Sequence, residues 1–194
     1  MRGERAHAKP CRCLEDSHHA RIPKAPSFGD IPYVHELPRQ AGRYFLTQDS
    51  SMTGSSQPVI VEQAFDVSKE TVWKAITDHE QMINWFFDNI PEFKAEVGFE
   101  TQFNVNAGER DFHHLWKITE AIPEQKVVYD WRYRDVPGAG RVTFEIFEEG
   151  DGSRLRVTND GLESFPQDVP EFSRESCIGG WKYLIQGNLK NYLS

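Results

Sequence analysis

The chain has 194 residues, of which 38% are hydrophobic, 12% aromatic and 27% charged; this is enough for one domain of ordinary size and too little for two large ones. Its formal net charge of -8 is uneven, because residues 1–51 hold 8 Lys/Arg against 6 Asp/Glu, which leaves 14 against 24 for residues 52–194. An acidic body without a basic stripe excludes the clustered Lys and Arg that a phosphate backbone or an anionic membrane surface requires, and leaves neutral, apolar or cationic partners.

Residues 1–56 are rich in Arg, His, Pro, Ser and Gly, and their few apolar residues follow neither helical nor strand period. The expectation is a poorly ordered tail, since so little apolar surface cannot offset the entropy of ordering. Met52 opens a polar stretch directly before the first strand, and the sequence suggests that translation begins there; a transit peptide is the other reading, opposed by Glu4, Glu15 and Asp16. Cys11, Cys13, His18 and His19 carry metal-binding atoms, but their spacing matches no zinc module, so no metal is expected. Three cysteines in all, no apolar run of about 18 residues and no secretory signal together point to a reducing, cytoplasmic setting without stable membrane insertion.

From Pro58 the pattern becomes regular. Val59–Phe65 is β-branched and alternating, as a strand requires. Ser68 caps a predicted helix over Lys69–Thr77, with Val72, Trp73 and Ile76 on one face. Asp78, with Gln81 three residues on, announces a second short helix carrying Met82, Ile83, Trp85 and Phe86. Six further strands are expected at Phe93–Val97, Phe99–Val105, Phe112–Glu120, Lys126–Tyr133, Val142–Phe147 and Arg154–Asn159. Their separators are Gly98, Ala107-Gly108, Pro123-Glu124, Pro137–Gly140 and Gly150–Gly152, short turn signals that favour antiparallel neighbours. A last helix is expected from Asp168, as N-cap, to Leu193, burying Cys177, Ile178, Trp181, Leu184, Ile185, Leu189 and Tyr192. Gly179-Gly180 inside it marks either a break or a close approach to the sheet. The order places about seven strands in one curved antiparallel sheet, an α+β arrangement in which residues 57–194 form a domain with the final helix over the concave face.

Several stretches resemble one family. Ala64–Asp78 followed by Trp85-Phe86, the run Ile118–Trp131, the run Val142–Thr158 ending in Asn159-Asp-Gly-Leu162, and Gly180–Leu193 are similar, in that order, to the activators of the heat-shock-protein-90 ATPase, a branch of the START-like (SRPBCC) helix-grip superfamily. The resemblance covers residues 58–194 and implies the helix-grip fold and a cavity between sheet and helix. It does not imply one activity, because the superfamily holds lipid and sterol carriers, cyclases and co-chaperone domains. The eukaryotic activators carry an additional N-terminal domain that residues 1–56 are too short to supply. Asn159 stands where many members have a histidine, so no role of that imidazole carries over.

Alternation puts Tyr129, Trp131 and Tyr133 on one side of their strand and Phe112, His114 and Trp116 on one side of its neighbour. These faces either fill a packed core or line a pocket, and the resemblance favours the pocket, with Trp85, Phe103, His114, Trp116, Tyr129, Trp131, Phe144, Ile178, Trp181 and Ile185 as ligand-binding residues. His114 is then an orienting group or an acid/base, or else a satisfied histidine. Asp130 and Arg156 are either buried partners or the polar faces of their strands. The first function read from the sequence is binding of a small apolar or aromatic molecule, without a cofactor. A polyketide cyclase or dehydratase type of enzyme, with His114, Tyr129 or Asp130 moving protons, is the alternative; stimulation of a heat-shock chaperone is a third. No nucleophile elbow, phosphate loop or dinucleotide fingerprint is present.

Overall fold

The structure is a computed structural model, and it describes residues 57–108 and 110–194. The predicted tail, the Met52 start and the Cys11, Cys13, His18 and His19 group lie outside the described residues.

Six strands, β1 (Val59–Phe65), β2 (Glu100–Ala107), β3 (Arg110–Ile122), β4 (Lys126–Tyr133), β5 (Val136–Glu149) and β6 (Gly152–Asp160), form one curved sheet. Their spatial order is β1-β6-β5-β4-β3-β2, and every pair is antiparallel. Period-2 alternation sends one side chain in two inward. Val59 and Val61 of β1, Phe103 and Val105 of β2, Trp116 and Ile118 of β3, Tyr129 and Trp131 of β4, Val142 and Phe144 of β5, and Leu155 and Val157 of β6 are all buried in one core. Each such aliphatic or aromatic side chain contributes about 1.5–3 kcal/mol by leaving water.

Two short helices follow β1. In α1 (Lys69–Thr77) the Ser68 hydroxyl accepts from the Thr71 N–H, and in α2 (His79–Met82) the Asp78 carboxylate accepts from the Gln81 N–H. Each cap satisfies a backbone donor that the first turn leaves free. The second helix is one turn long, so Ile83, Trp85 and Phe86 stand in the loop after it.

The expected strand Phe93–Val97 does not form, and the sheet has six strands rather than seven. The chain hydrogen-bonds to the sheet only just beyond it, where Gly98 N–H donates to Ile118 O and Ile118 N–H donates to Phe99 O. Phe93 is buried without the segment pairing along β3. Pro137–Gly140 is not a turn either. The β4–β5 hairpin closes over Arg134-Asp135, with Tyr133 opposite Val136, and Pro137–Gly140 belong to β5. The glycines answer a different demand, close approach of the chain beyond β6. A Cβ on Gly138 would lie 2.7 Å from Ser164 O, and one on Gly161 would lie 2.6 Å from Ala139 O, both at positive φ.

The C-terminal helix starts five residues later than Asp168. A 3-10 turn at Pro170–Phe172 comes first, and Ser173, in extended conformation, caps α3 (Arg174–Trp181) by accepting from Ser176 N–H at 3.2 Å. The extended Ser173 lets Phe172 turn into an aromatic cluster with Phe112 and Phe165 before the helix begins. The helix runs through Gly179-Gly180 without a break, continues as a π-helical stretch (Lys182–Leu189) and ends in the α-helical turn α4 (Lys190–Tyr192). Trp181, Leu184, Ile185 and Leu189 face the sheet and join the main core.

Candidate functional site

Between the sheet and the start of α3 lies a partly open cavity of about 80 Å³. A buried water occupies about 10–15 Å³ by this measure, so the space holds several waters or a small ring system. The sheet supplies His114 and Phe112 from β3, Trp131 and Tyr133 from β4, Gly140 from β5 and Asn159 from β6. Leu162, Phe165, Glu171 and Phe172 come from the segment between β6 and α3, Phe87 from the loop after α2, and Cys177, Gly180, Trp181 and Leu184 from the C-terminal helix.

Local sequence explains why these groups converge. The two-residue hairpin at Arg134-Asp135 ends β4 at Tyr133, so Tyr133 stands at the sheet end rather than in its middle. Gly138 and Gly140 let Phe165 approach β5, with Phe165 Cε2 3.3 Å from where a Gly140 Cβ would stand. The Ser164 hydroxyl accepts from Ala139 N–H at 2.9 Å and is also within 2.7 Å of Gly161 O, which pins the segment there. Phe165 and Phe172 then stack at 5.1 Å, and Phe112 meets Phe172 at 5.2 Å. Arg110 Nη1 donates to Glu171 Oε2 at 2.7 Å and ties the β2–β3 turn to the same roof.

The polar groups in the wall are few. His114 is buried, and its Nδ1–H donates to Phe112 O at 3.0 Å, which leaves Nε2 as the ring's acceptor. Burial pushes its pKa down to about 3, opposed by that hydrogen bond, so the ring is neutral at pH 7. It can take a hydrogen bond from a ligand hydroxyl. It does not trade protons near neutrality. Burial raises the Tyr133 phenol well above its ordinary value, and the nearby Trp131 N–H offsets this in part. The Trp131 N–H nevertheless completes no hydrogen bond and is a buried donor without a partner. Burial likewise pushes the Cys177 thiol up to about 12, so it stays protonated. Among the described residues no group of His, Cys, Asp and Glu is arranged to hold a metal.

Of the residues singled out in the sequence, His114, Trp131 and Trp181 line the cavity. Trp85, Phe103, Trp116, Tyr129, Phe144 and Ile185 are buried in the closed core beside it, and Ile178 packs partly exposed against that core. Asp130 lies on the outer side of β4, 3.5 Å from Arg141, and Arg156 pairs across strands with Glu62 at 2.6 Å, so both belong to polar faces. The roof residues Phe165, Phe172 and Glu171 are missing from the predicted site, because Phe165 sits in an aperiodic stretch and Glu171 and Phe172 fall inside the helix expected from Asp168. A signal was present in the aromatic spacing Phe165…Phe172 around Pro166 and Pro170, which has no reason to exist in a solvent-exposed connection.

The sequence profile of the family described as "Activator of Hsp90 ATPase homolog 1-like protein" matches residues 66–194. The chain belongs to this family. Its members' fold is also what solved structures share with it. The Mll3558 protein of Rhizobium loti is 22% identical, with a TM-score of 0.61 over 71% of this chain and 96% of that one. The solved Aha1 dimer of Colwellia psychrerythraea is 19% identical, with a TM-score of 0.54 over 70% and 95%. DynU16, a protein of the dynemicin biosynthetic locus, is 19% identical, with a TM-score of 0.55 over 71% of this chain and 47% of that one. Comparison with curated proteins finds no match. These identities support the helix-grip architecture of an Hsp90-activator-like domain and no particular activity. No helix among the described residues is long and apolar enough to cross a membrane.

Proposed function

We propose that the protein binds a small, uncharged aromatic or amphipathic molecule in the cavity under α3. The observation that carries this is a partly open space walled by Phe112, Trp131, Tyr133, Phe165, Phe172 and Trp181, with the neutral His114 ring as an acceptor at its side. Such a mixture, mostly apolar with one or two fixed polar groups, is how small-molecule sites obtain affinity and orientation together. At about 25 cal/mol per Å², contact with the rings supplies most of the binding energy. The proposed setting is the reducing cytoplasm, which suits the free Cys177 thiol in the wall.

Intrinsic tryptophan fluorescence, titrated with fatty acids, sterols and polycyclic aromatics, tests the reading. A saturable response to one class, lost when Cys177→Phe fills the space, is expected. Silence from every class overturns it.

A reaction of the cyclase or dehydratase type in the same space has less support. His114 titrates near 3, burial holds the Tyr129 phenol protonated, and Asp130 faces away. Stimulation of a heat-shock ATPase is favoured by the family match alone; a pull-down with the chaperone followed by an ATPase assay decides it.

A further inference from the structure

Buried polar atoms in this core have partners in most cases. Trp85 Nε1 donates to Ala75 O at 2.8 Å, and Ser153 Oγ donates to Val67 O at 2.7 Å. Among the described residues three side-chain atoms do not: Trp116 Nε1, the Tyr129 hydroxyl and Trp131 Nε1 are buried without a hydrogen-bond partner. They are neighbours. Trp116 stands opposite Trp131 in the β3–β4 register, and Tyr129 is two residues along β4 on the same face. The Trp116 ring is 4.9 Å from both the Trp131 and the Tyr129 rings. Trp131 is part of the cavity wall, and the other two continue from it into the core. Native proteins leave few buried donors unpaired, because each forfeits the water it had when unfolded. Three in a row beginning at a cavity wall require a common cause.

Rings from outside the sheet cover the row, with Phe93 edge-on to Tyr129 at 6.4 Å. Trp181 meets Trp131 edge-on at 5.8 Å, and Phe86 stacks on Trp116 at 5.5 Å. Trp181 stands where the last helix is weakest, after Gly179-Gly180 and before the π-helical stretch. Glycines lower helix propensity, and π-turns are rare and concentrate at functional sites.

We infer that the cavity is the outer part of a longer site, which opens inward when Trp181, Phe86 and Phe93 move aside, and that its ligand is an uncharged polycyclic molecule carrying carbonyl oxygens. Those oxygens accept from Trp131, Trp116 and Tyr129. This rests on the binding function proposed above and adds the ligand's chemical class. The indole N–H groups donate only, so the ligand must offer acceptors. Carboxylates are disfavoured, because no Lys or Arg lines the cavity and its charged lining group is the Glu171 carboxylate. His114 Nε2 takes a hydroxyl if the ligand has one.

The test uses fluorene and 9-fluorenone, which share one ring frame and differ by a carbonyl oxygen. Binding to the full chain is followed by ¹H–¹⁵N spectra, with the indole signals assigned through Trp116→Phe and Trp131→Phe. Fluorenone is expected to bind about tenfold tighter, the equivalent of one buried hydrogen bond, and to shift the Trp116 and Trp131 indole N–H signals downfield. Tyr129→Phe is the second variant. It removes only the hydroxyl, so it should leave Tm unchanged or higher in the free protein while reducing the preference for fluorenone. Equal binding of the two compounds with unmoved indole signals overturns the inference and leaves the proposed cavity function standing. Binding of neither overturns the inference alone, because the proposed cavity function falls only when fatty acids and sterols are silent as well. A Tm lowered by Tyr129→Phe with the fluorenone preference intact shows that the hydroxyl serves the free fold, and also overturns it.

Discussion

Arg110 Nη1 lies 2.7 Å from Glu171 Oε2 across 61 residues of chain, so one ion pair joins the turn between β2 and β3 to the roof of the cavity. The arginine is half exposed and the glutamate mostly covered. Pairs of this kind stabilise little in water, because solvent screens the attraction and two long side chains must be held still. Glu171→Gln should therefore lower stability by less than about 1 kcal/mol in urea unfolding. The roof would be tied less firmly, so the variant should release a bound probe faster in stopped-flow fluorescence. A loss of several kcal/mol would mean that the pair holds the fold and not merely the roof.

Two glycines predict opposite outcomes. Gly138 has φ +114°, and a Cβ there would meet Ser164 O at 2.7 Å and Phe165 Cδ1 at 2.8 Å. Gly138→Ala should destabilise by about 1–3 kcal/mol and displace Phe165 from the cavity wall. Gly187 sits in the π-helical stretch with nothing within 4 Å of an added Cβ. Gly187→Ala should stabilise by about 0.5–1 kcal/mol through helix propensity alone. Thermal unfolding of both variants checks the pair.

The same glycines show where sequence reading stops. The inward stripe from Val59 to Val157 was legible because a sheet with one buried face imposes period 2 on every strand. The Ser68 and Asp78 caps were legible because capping is local. Gly138 and Gly140 looked like a turn, since sequence cannot distinguish a glycine that bends the chain from one that makes room for a distant residue. Phe93–Val97 looked like a strand, yet its pairing depends on which edge of β3 is free. The cavity was legible only in part. Its sheet wall followed from alternation at His114 and Trp131, while its roof depends on Phe165 and Phe172, brought together by tertiary packing with Phe112.

His114 makes a pH prediction whose sign can be worked out. Its folded pKa is about 3, lowered chiefly by burial from the ordinary 6.5. Below pH 6.5 the unfolded chain binds a proton at this position that the folded chain does not, so stability falls as pH drops from 6.5 towards 3. The limiting slope is about 1.4 kcal/mol per pH unit for this one group. Urea midpoints measured from pH 7 to pH 4.5 should decline, and His114→Gln should flatten the decline, with the largest difference from the parent at the acid end. Parallel curves for the two proteins would place the acid sensitivity elsewhere.

Cys177 reports on the cavity from inside. Its thiol is free and half-buried in the wall, and burial pushes its pKa up to about 12, so almost none is thiolate at pH 8. Thiol reagents attack through the thiolate and need access, and both conditions are poor here. With Cys11→Ser and Cys13→Ser removing the other thiols, the folded protein should react with a disulfide reagent at least about a hundredfold more slowly than the same chain in urea. A cavity ligand should slow it further, in proportion to occupancy, because the molecule would stand between solvent and sulfur. Protection that saturates at the concentration where tryptophan fluorescence saturates would place the ligand against the Cys177 wall of α3. Unchanged reactivity at full fluorescence saturation would put the bound molecule elsewhere on the protein.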